Sequence, residues 1–143
     1  MLYCQITGGR NFADKSFVWG LLDRLYAKTP FTIQEGGAKG ADRLAQLWAK
    51  ERGYPFLTVM AEWDRLGNAA GLVRNSAMLD KLLVFREEGH TIIGVAFPGG
   101  KGTKDMVAKM LNSEIRVLVV GPLAKSEWEG LTHVVRVPYG GKS

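Results

Sequence analysis

Short apolar runs at residues 2–7, 31–34, 56–60, 91–97 and 115–120 alternate with stretches whose apolar residues fall at helical spacing. The central runs are continuously apolar instead of alternating with polar residues, so both faces of each strand must be covered. Phe17, Val18, Leu21, Leu22 and Leu25 form one helical stripe, with Asp14 or Ser16 to cap it and Thr29-Pro30 to end it. Leu44, Ala45, Leu47, Trp48 and Ala49 form a second stripe, and Val73, Ala77, Met78, Leu82 and Phe85 a third. A fourth helix is expected over 104–111, an irregular segment over 61–71, and a sixth strand, short and at an edge, over 131–137. Strand–helix alternation of this kind predicts a Rossmann-like three-layer α/β domain, its mainly parallel sheet of five or six strands covered by helices on both faces.

A chain of 143 residues has room for one domain with a sizeable core. With 46% hydrophobic and 23% charged residues, disorder, collagen and coiled coil are excluded as the main description. No linker, repeat or low-complexity tract divides it, so residues 1–137 read as one domain and residues 138–143 as a disordered tail. No apolar run approaches the roughly 20 residues of a membrane-spanning helix. The start, MLYCQITGGR, has neither the basic region nor the apolar stretch of a signal peptide. A single cysteine allows no intrachain disulfide and no cysteine-rich metal site. The expectation is a cytoplasmic protein without metal or cofactor. Its net charge of +5 suits an anionic partner, without choosing between a small phosphate and a nucleic acid.

Glycine accounts for 18 residues and is clustered. Gly8-Gly9-Arg10, Gly36 to Asp42 and Pro98 to Thr103 each follow a predicted strand, and the last two precede helices. Ligands of open parallel sheets bind outside the carboxyl ends of the strands. Free backbone N–H groups at a helix start attract phosphate, and glycine lets the phosphate approach. Tight turns alone would account for any one of the three loops; all three at one sheet edge predict a ligand pocket. The dinucleotide pattern G-x-G-x-x-G does not follow the first strand. Gly141-Lys142-Ser143 has the last letters of a Walker A motif, but position 136 is Arg, so that motif fails as well.

Ile6-Thr7-Gly8-Gly9-Arg10 comes first, then Gly36-Gly37-Ala38-Lys39-Gly40-Ala41-Asp42 with Leu44-Ala45 and Trp48-Ala49. Trp63, Ala70-Gly71, Arg74-Asn75 and Met78 follow, then Phe97-Pro98-Gly99-Gly100 with Gly102-Thr103. Over residues 2–120 this series resembles the YspA-like branch of the SLOG superfamily. The resemblance implies a Rossmann-like fold binding nucleotides or nucleotide-derived ligands, among them ADP-ribose or NAD-related molecules, as a sensor or a sequestering protein. Two related groups imply alternatives. Lonely Guy phosphoribohydrolases, which cleave nucleoside monophosphates at the N-glycosidic bond, carry P-G-G-x-G-T-x-x-E and an arginine on an earlier helix. Pro98 to Thr103 and Arg74 match, but the glutamate position is Met106. Asp42 and Asp105 are then the carboxylates left to do catalysis, although Asp105 points about 100° away from position 106 around a helix. The DNA-processing protein A (Smf) group has loops similar to residues 37–42 and 74–75 and implies a single-stranded DNA-binding module.

Individual residues have plainer roles too. Arg10, Lys39 and Lys101 are phosphate contacts or solvated charges. Asp42 is a first-turn carboxylate or an acceptor for a ribose hydroxyl, and Glu35 is a second strand-end carboxylate. Of Arg74 and Asn75, adjacent on a helix, one is expected to face the pocket, and Arg74 is favoured. Thr103 caps its helix or binds phosphate. Trp63 stacks on a base or packs, whereas Trp19 and Trp48 lie on core stripes. His90, His133 and Cys4 form no cluster. Apolar residues around Trp63 and Met78 are the expected interface of a homo-oligomer.

Overall fold

The computed structural model describes residues 1–121 and 132–140. Along the chain run β1 (Leu2–Thr7), α1 (Lys15–Lys28), β2 (Phe31–Glu35), α2 (Ala41–Arg52), β3 (Phe56–Thr58) and α3 (Trp63–Leu66). After a single 3-10 turn at Gly67–Ala69 come α4 (Ala70–Glu87), β4 (Thr91–Ala96), α5 (Lys101–Asn112), β5 (Arg116–Val120) and β6 (Val134–Val137). The strands form one sheet in the order β3-β2-β1-β4-β5-β6, and every pair is parallel. This is the α/β Rossmann-like arrangement that the alternating pattern predicts.

The two sheet faces have separate cores. On one, Val18, Leu21 and Leu22 of α1 and Ala45, Trp48 and Ala49 of α2 bury Cys4, Ile6, Ile33 and Val95. On the other, Met78 and Leu82 of α4 and Met106, Val107 and Met110 of α5 bury Ile92, Ala96, Val117 and Val119. Caps agree with sequence at α1, where the Asp14 carboxylate accepts from the Phe17 N–H at 3.1 Å. Trp48 is fully buried and its indole donates to Asp23 at 2.8 Å.

Three readings change. Residues 61–71 are helical for most of their length, not irregular. None of the α3 residues is buried, so no apolar stripe advertises that helix. Helix α5 starts three residues earlier than the apolar pattern indicates, at Lys101, which places Gly102 and Thr103 in its first turn. On α4, Val73 is exposed, while Asn75 takes an inward position with Met78 and Leu82. A polar residue on the buried face shifts the apparent phase of the stripe.

The sixth strand lies at the edge, as expected, beginning at Val134; residue 131 lies outside the described residues. Beyond it, Tyr139 packs on Phe12 and Phe17, and its hydroxyl donates to Asp14 at 2.8 Å. Residues 141–143 lie outside the described residues. No helix among the described residues is long and apolar enough to cross a membrane.

From β1 the chain moves outward through β2 and β3, then returns to the far side of β1 for β4 to β6. The strand order therefore reverses between β1 and β4. Outside the carboxyl ends of those two strands the loops diverge and leave a crevice.

Candidate functional site

That crevice is a pocket of about 450 Å³. Its lining includes Thr7 at the end of β1 with Gly8, Gly9 and Arg10 after it, Ala38 in the loop before α2 with Asp42 in its first turn, and Gly100, Lys101, Gly102 and Thr103 at the start of α5. Trp63 of α3, Asn68 of the 3-10 turn, and Gly71, Leu72, Arg74, Asn75 and Met78 of α4 complete it. The pocket thus gathers Gly8, Gly9, Arg10, Ala38, Asp42, Trp63, Arg74, Asn75, Gly100, Lys101, Gly102 and Thr103 from the sequence candidates. Gly36, Gly37, Lys39, Gly40, Pro98, Gly99 and Asp105 are not on its lining. Pro98 and Gly99 border a neighbouring cavity of about 260 Å³ that shares Gly9, Arg10 and Gly100.

Several glycines hold the loops against one another. The Gly9 N–H donates to the Pro98 carbonyl at 2.9 Å, and the Gly9 carbonyl accepts from Ala41 at 3.2 Å. A Cβ on Gly8 would lie 2.5 Å from that of Ala41, and one on Gly99 would lie 2.7 Å from the Gly9 nitrogen. Gly40 has φ +81°, and a Cβ there would meet the Gly9 carbonyl oxygen at 2.1 Å. Gly100 and Gly102 differ: a Cβ on either meets nothing within 4 Å.

The loop from β2 to α2 supplies its own anions. Asp42 Oδ2 accepts from the N–H groups of Gly36 at 3.0 Å and Ala38 at 3.4 Å. Glu35 Oε1 accepts from the Gly37 N–H at 2.7 Å, and its other oxygen accepts from the Thr58 hydroxyl. Asp42 therefore serves the preceding loop and does not cap α2, whose N-cap, Gly40, makes no side-chain bond. Burial pushes the Asp42 carboxyl up to about 7; the nearby Glu35 charge adds to the rise, while Arg74 and the two amides oppose it. Burial also raises Glu35, against the pull of Thr58, Gly37, Gln46 and Arg74. Arg74 Nη1 donates to the Gly36 carbonyl at 3.1 Å. Asp42 Oδ1 and Arg74 Nε are buried without a hydrogen-bond partner.

Helix α5 starts differently. Its N-cap, Gly100, offers no side chain, no acidic residue stands in the first turn, and Lys101 lies exposed at the rim. Its first N–H groups and its positive dipole end therefore face the pocket without a carboxylate from the chain. Thr103 does not cap the helix; its hydroxyl lies over Gly99.

Arg74 and Asn75 both line the pocket, against the expectation that one of them would. Asn75 is buried, and its amide donates to the Gly102 carbonyl at 3.1 Å and to Asp105 at 3.0 Å, clamping α4 to α5. Asp105 is also paired with Lys109 at 2.7 Å. It is thus engaged away from the pocket, and Met106 is fully buried in the core. At the mouth, the half-exposed Trp63 ring lies under the Arg10 guanidinium, 5.1 Å from its centre. Met78 is buried and forms pocket floor, so the exposed apolar residues here are Met60, Trp63, Leu72 and Val73. Sequence reasoning passed over Thr7, Asn68, Gly71, Leu72 and Met78 as lining residues. Thr7, Gly71 and Met78 stand within the motif series that carries the family resemblance, whereas Asn68 and Leu72 carry no signal of their own.

Residues 5–66 match the model of a protein family described as the YspA, cpYpsA-related SLOG family. The chain is also similar to the Gene 61 protein of Mycobacterium phage D29. The two are 29% identical over 125 residues, covering 81% of this chain and 94% of that protein.

Proposed function

This chain belongs to the YspA-like SLOG family by its match over residues 5–66, and on that premise we propose that it binds a nucleotide or nucleotide-derived phosphate ligand in the crevice outside β1 and β4. The observation that carries this reading is the start of α5. It faces a pocket, has no carboxylate in its first turn, and holds two glycines that no protein contact requires. Glycine inside a helix costs about 0.5–1 kcal/mol relative to alanine, so Gly102 is a local loss that backbone access to a ligand would offset. The phosphate rests on Gly100 to Thr103 with Lys101 and Arg10 as charge partners. Trp63, Leu72 and Gly71 offer an apolar wall for a base. ADP-ribose and NAD-related molecules fit this description, and the role is sensing or sequestering the ligand.

A hydrolytic reading has one observation behind it. The buried Asp42 carboxyl titrates near neutrality in the pocket, which suits an acid–base group at an N-glycosidic bond. The carboxylate of the Lonely Guy signature has no counterpart at Met106, and Asp105 is paired with Lys109. The test is thermal unfolding against nucleoside monophosphates, ADP-ribose, NAD, cyclic nucleotides and a short single-stranded DNA, followed by assay for released base. A selective rise in melting temperature with one nucleotide is expected, since a ligand of the folded state stabilises it by mass action. A rise with DNA alone, lost at higher salt, contradicts the proposal.

A further inference from the structure

Two polar atoms flank Gly36 without partners of their own. Asp42 Oδ1 belongs to a side chain 5% exposed that lines the pocket, and its sister oxygen is held by the amides of Gly36 and Ala38. Arg74 Nε belongs to a guanidinium fixed by its bond to the Gly36 carbonyl. One is an acceptor, the other a donor, and burying either unpaired costs about 1–3 kcal/mol. The charges around them restrict what can complete them. Asp42 and Glu35 repel a ligand anion, while Arg74, with Arg10 and Lys101 at the rim, opposes a ligand cation. A neutral group that both donates and accepts satisfies both atoms; in a nucleotide a sugar hydroxyl does so with one oxygen, whereas a base edge needs two neighbouring atoms.

We infer that Asp42 and Arg74 read a ribose hydroxyl, so that the site takes ribonucleotides in preference to deoxyribonucleotides. The hydroxyl donates to Asp42 Oδ1 and accepts from Arg74 Nε, while the phosphate lies at α5. Glu35, the carboxylate at the tip of β2, does not do this, because both its oxygens are engaged with Gly37, Thr58 and Gln46. This inference rests on the nucleotide-phosphate reading above.

The experiment is calorimetric titration of the full chain with the four ribonucleoside 5′-monophosphates and their 2′-deoxy and 3′-deoxy counterparts, with the free nucleosides as controls. At least one ribonucleotide is expected to bind about tenfold or more tightly than one of its deoxy counterparts, the factor expected of one hydrogen bond to a charged group. In Asp42→Asn the amide oxygen can take over the Gly36 and Ala38 bonds, leaving an NH₂ donor opposite the Arg74 donor. The ribose preference should then fall toward unity while the phosphate requirement persists. Asp42→Ala should do the same if it folds; Asp42→Asn keeps the test valid if it does not. Equal affinity for ribo and deoxy forms, with phosphate still required, overturns this inference and leaves the binding reading intact. An unchanged preference in Asp42→Asn also overturns it. No binding by any nucleotide removes both.

Discussion

At the start of α2, the N–H groups of Gly36, Gly37 and Ala38 point at Asp42 and Glu35. At the start of α5 no carboxylate stands in the first turn, and Gly100 and Gly102 have open space where a side chain would go. Both are glycine-rich turns at the same edge of one sheet, with a lysine inside each. The first loop has closed on its own anions, and each of its glycines is hemmed in: Gly36 by Arg74, Gly37 by Met60 and Thr58, and Gly40 by the backbone of the β1 loop. The second presents its amides to the pocket. Glycine content alone does not make a phosphate site; what matters is whether the amides are already taken and whether the missing Cβ atoms have another cause.

Substituting glycines is the sharpest way to break this comparison. Gly40→Ala puts a Cβ against the Gly9 carbonyl at positive φ, and a loss of about 3 kcal/mol or more is expected in urea unfolding. Gly102→Ala should be neutral or stabilising by up to about 1 kcal/mol, while weakening nucleotide binding. Comparable losses in both would mean that the two turns are built alike.

Titration of Asp42 should give the next largest effect. Its carboxyl sits near 7 in the folded chain against an ordinary 3.8. Between these values the folded state holds a proton that the unfolded state has lost. The stability that this carboxyl contributes is therefore fully present below about pH 4 and is lost as pH rises through 7; Glu35 shifts in the same direction. The melting temperature should drop by about several degrees from pH 5 to pH 8, and the drop should be shallower in Asp42→Asn. Parallel curves for the two proteins would contradict the burial argument.

Smaller effects sharpen the picture at α5. Asn75→Ala removes two hydrogen bonds between α4 and α5 and should cost about 1–3 kcal/mol in urea unfolding. Lys101→Gln should leave stability within about 0.5 kcal/mol of the parent. It should lower nucleotide affinity severalfold at low salt, by calorimetry, with the difference shrinking as salt rises. An unchanged affinity would take Lys101 out of the site.

The sheet and its two cores were legible because continuous apolar runs and helical stripes follow directly from burial on both faces. Helix α3 was not, since it buries nothing and leaves no periodic trace. The pocket was legible through the general rule for strand ends. The division of labour between the two glycine turns was not, because spacing does not tell that the Asp42 carboxylate folds back on Gly36 and Ala38. Asn75 was misplaced for a similar reason: its inward position is set by partners on α5, far along the chain.

The most direct test is an amide NMR titration of the isotope-labelled chain with adenosine 5′-monophosphate and, separately, inorganic phosphate. The account predicts the largest shifts at the amides of Lys101, Gly102 and Thr103, with those of Gly36, Gly37 and Ala38 changing little. Dominant shifts at residues 36–40 with α5 silent would contradict it, and would make the β2–α2 turn the phosphate site after all.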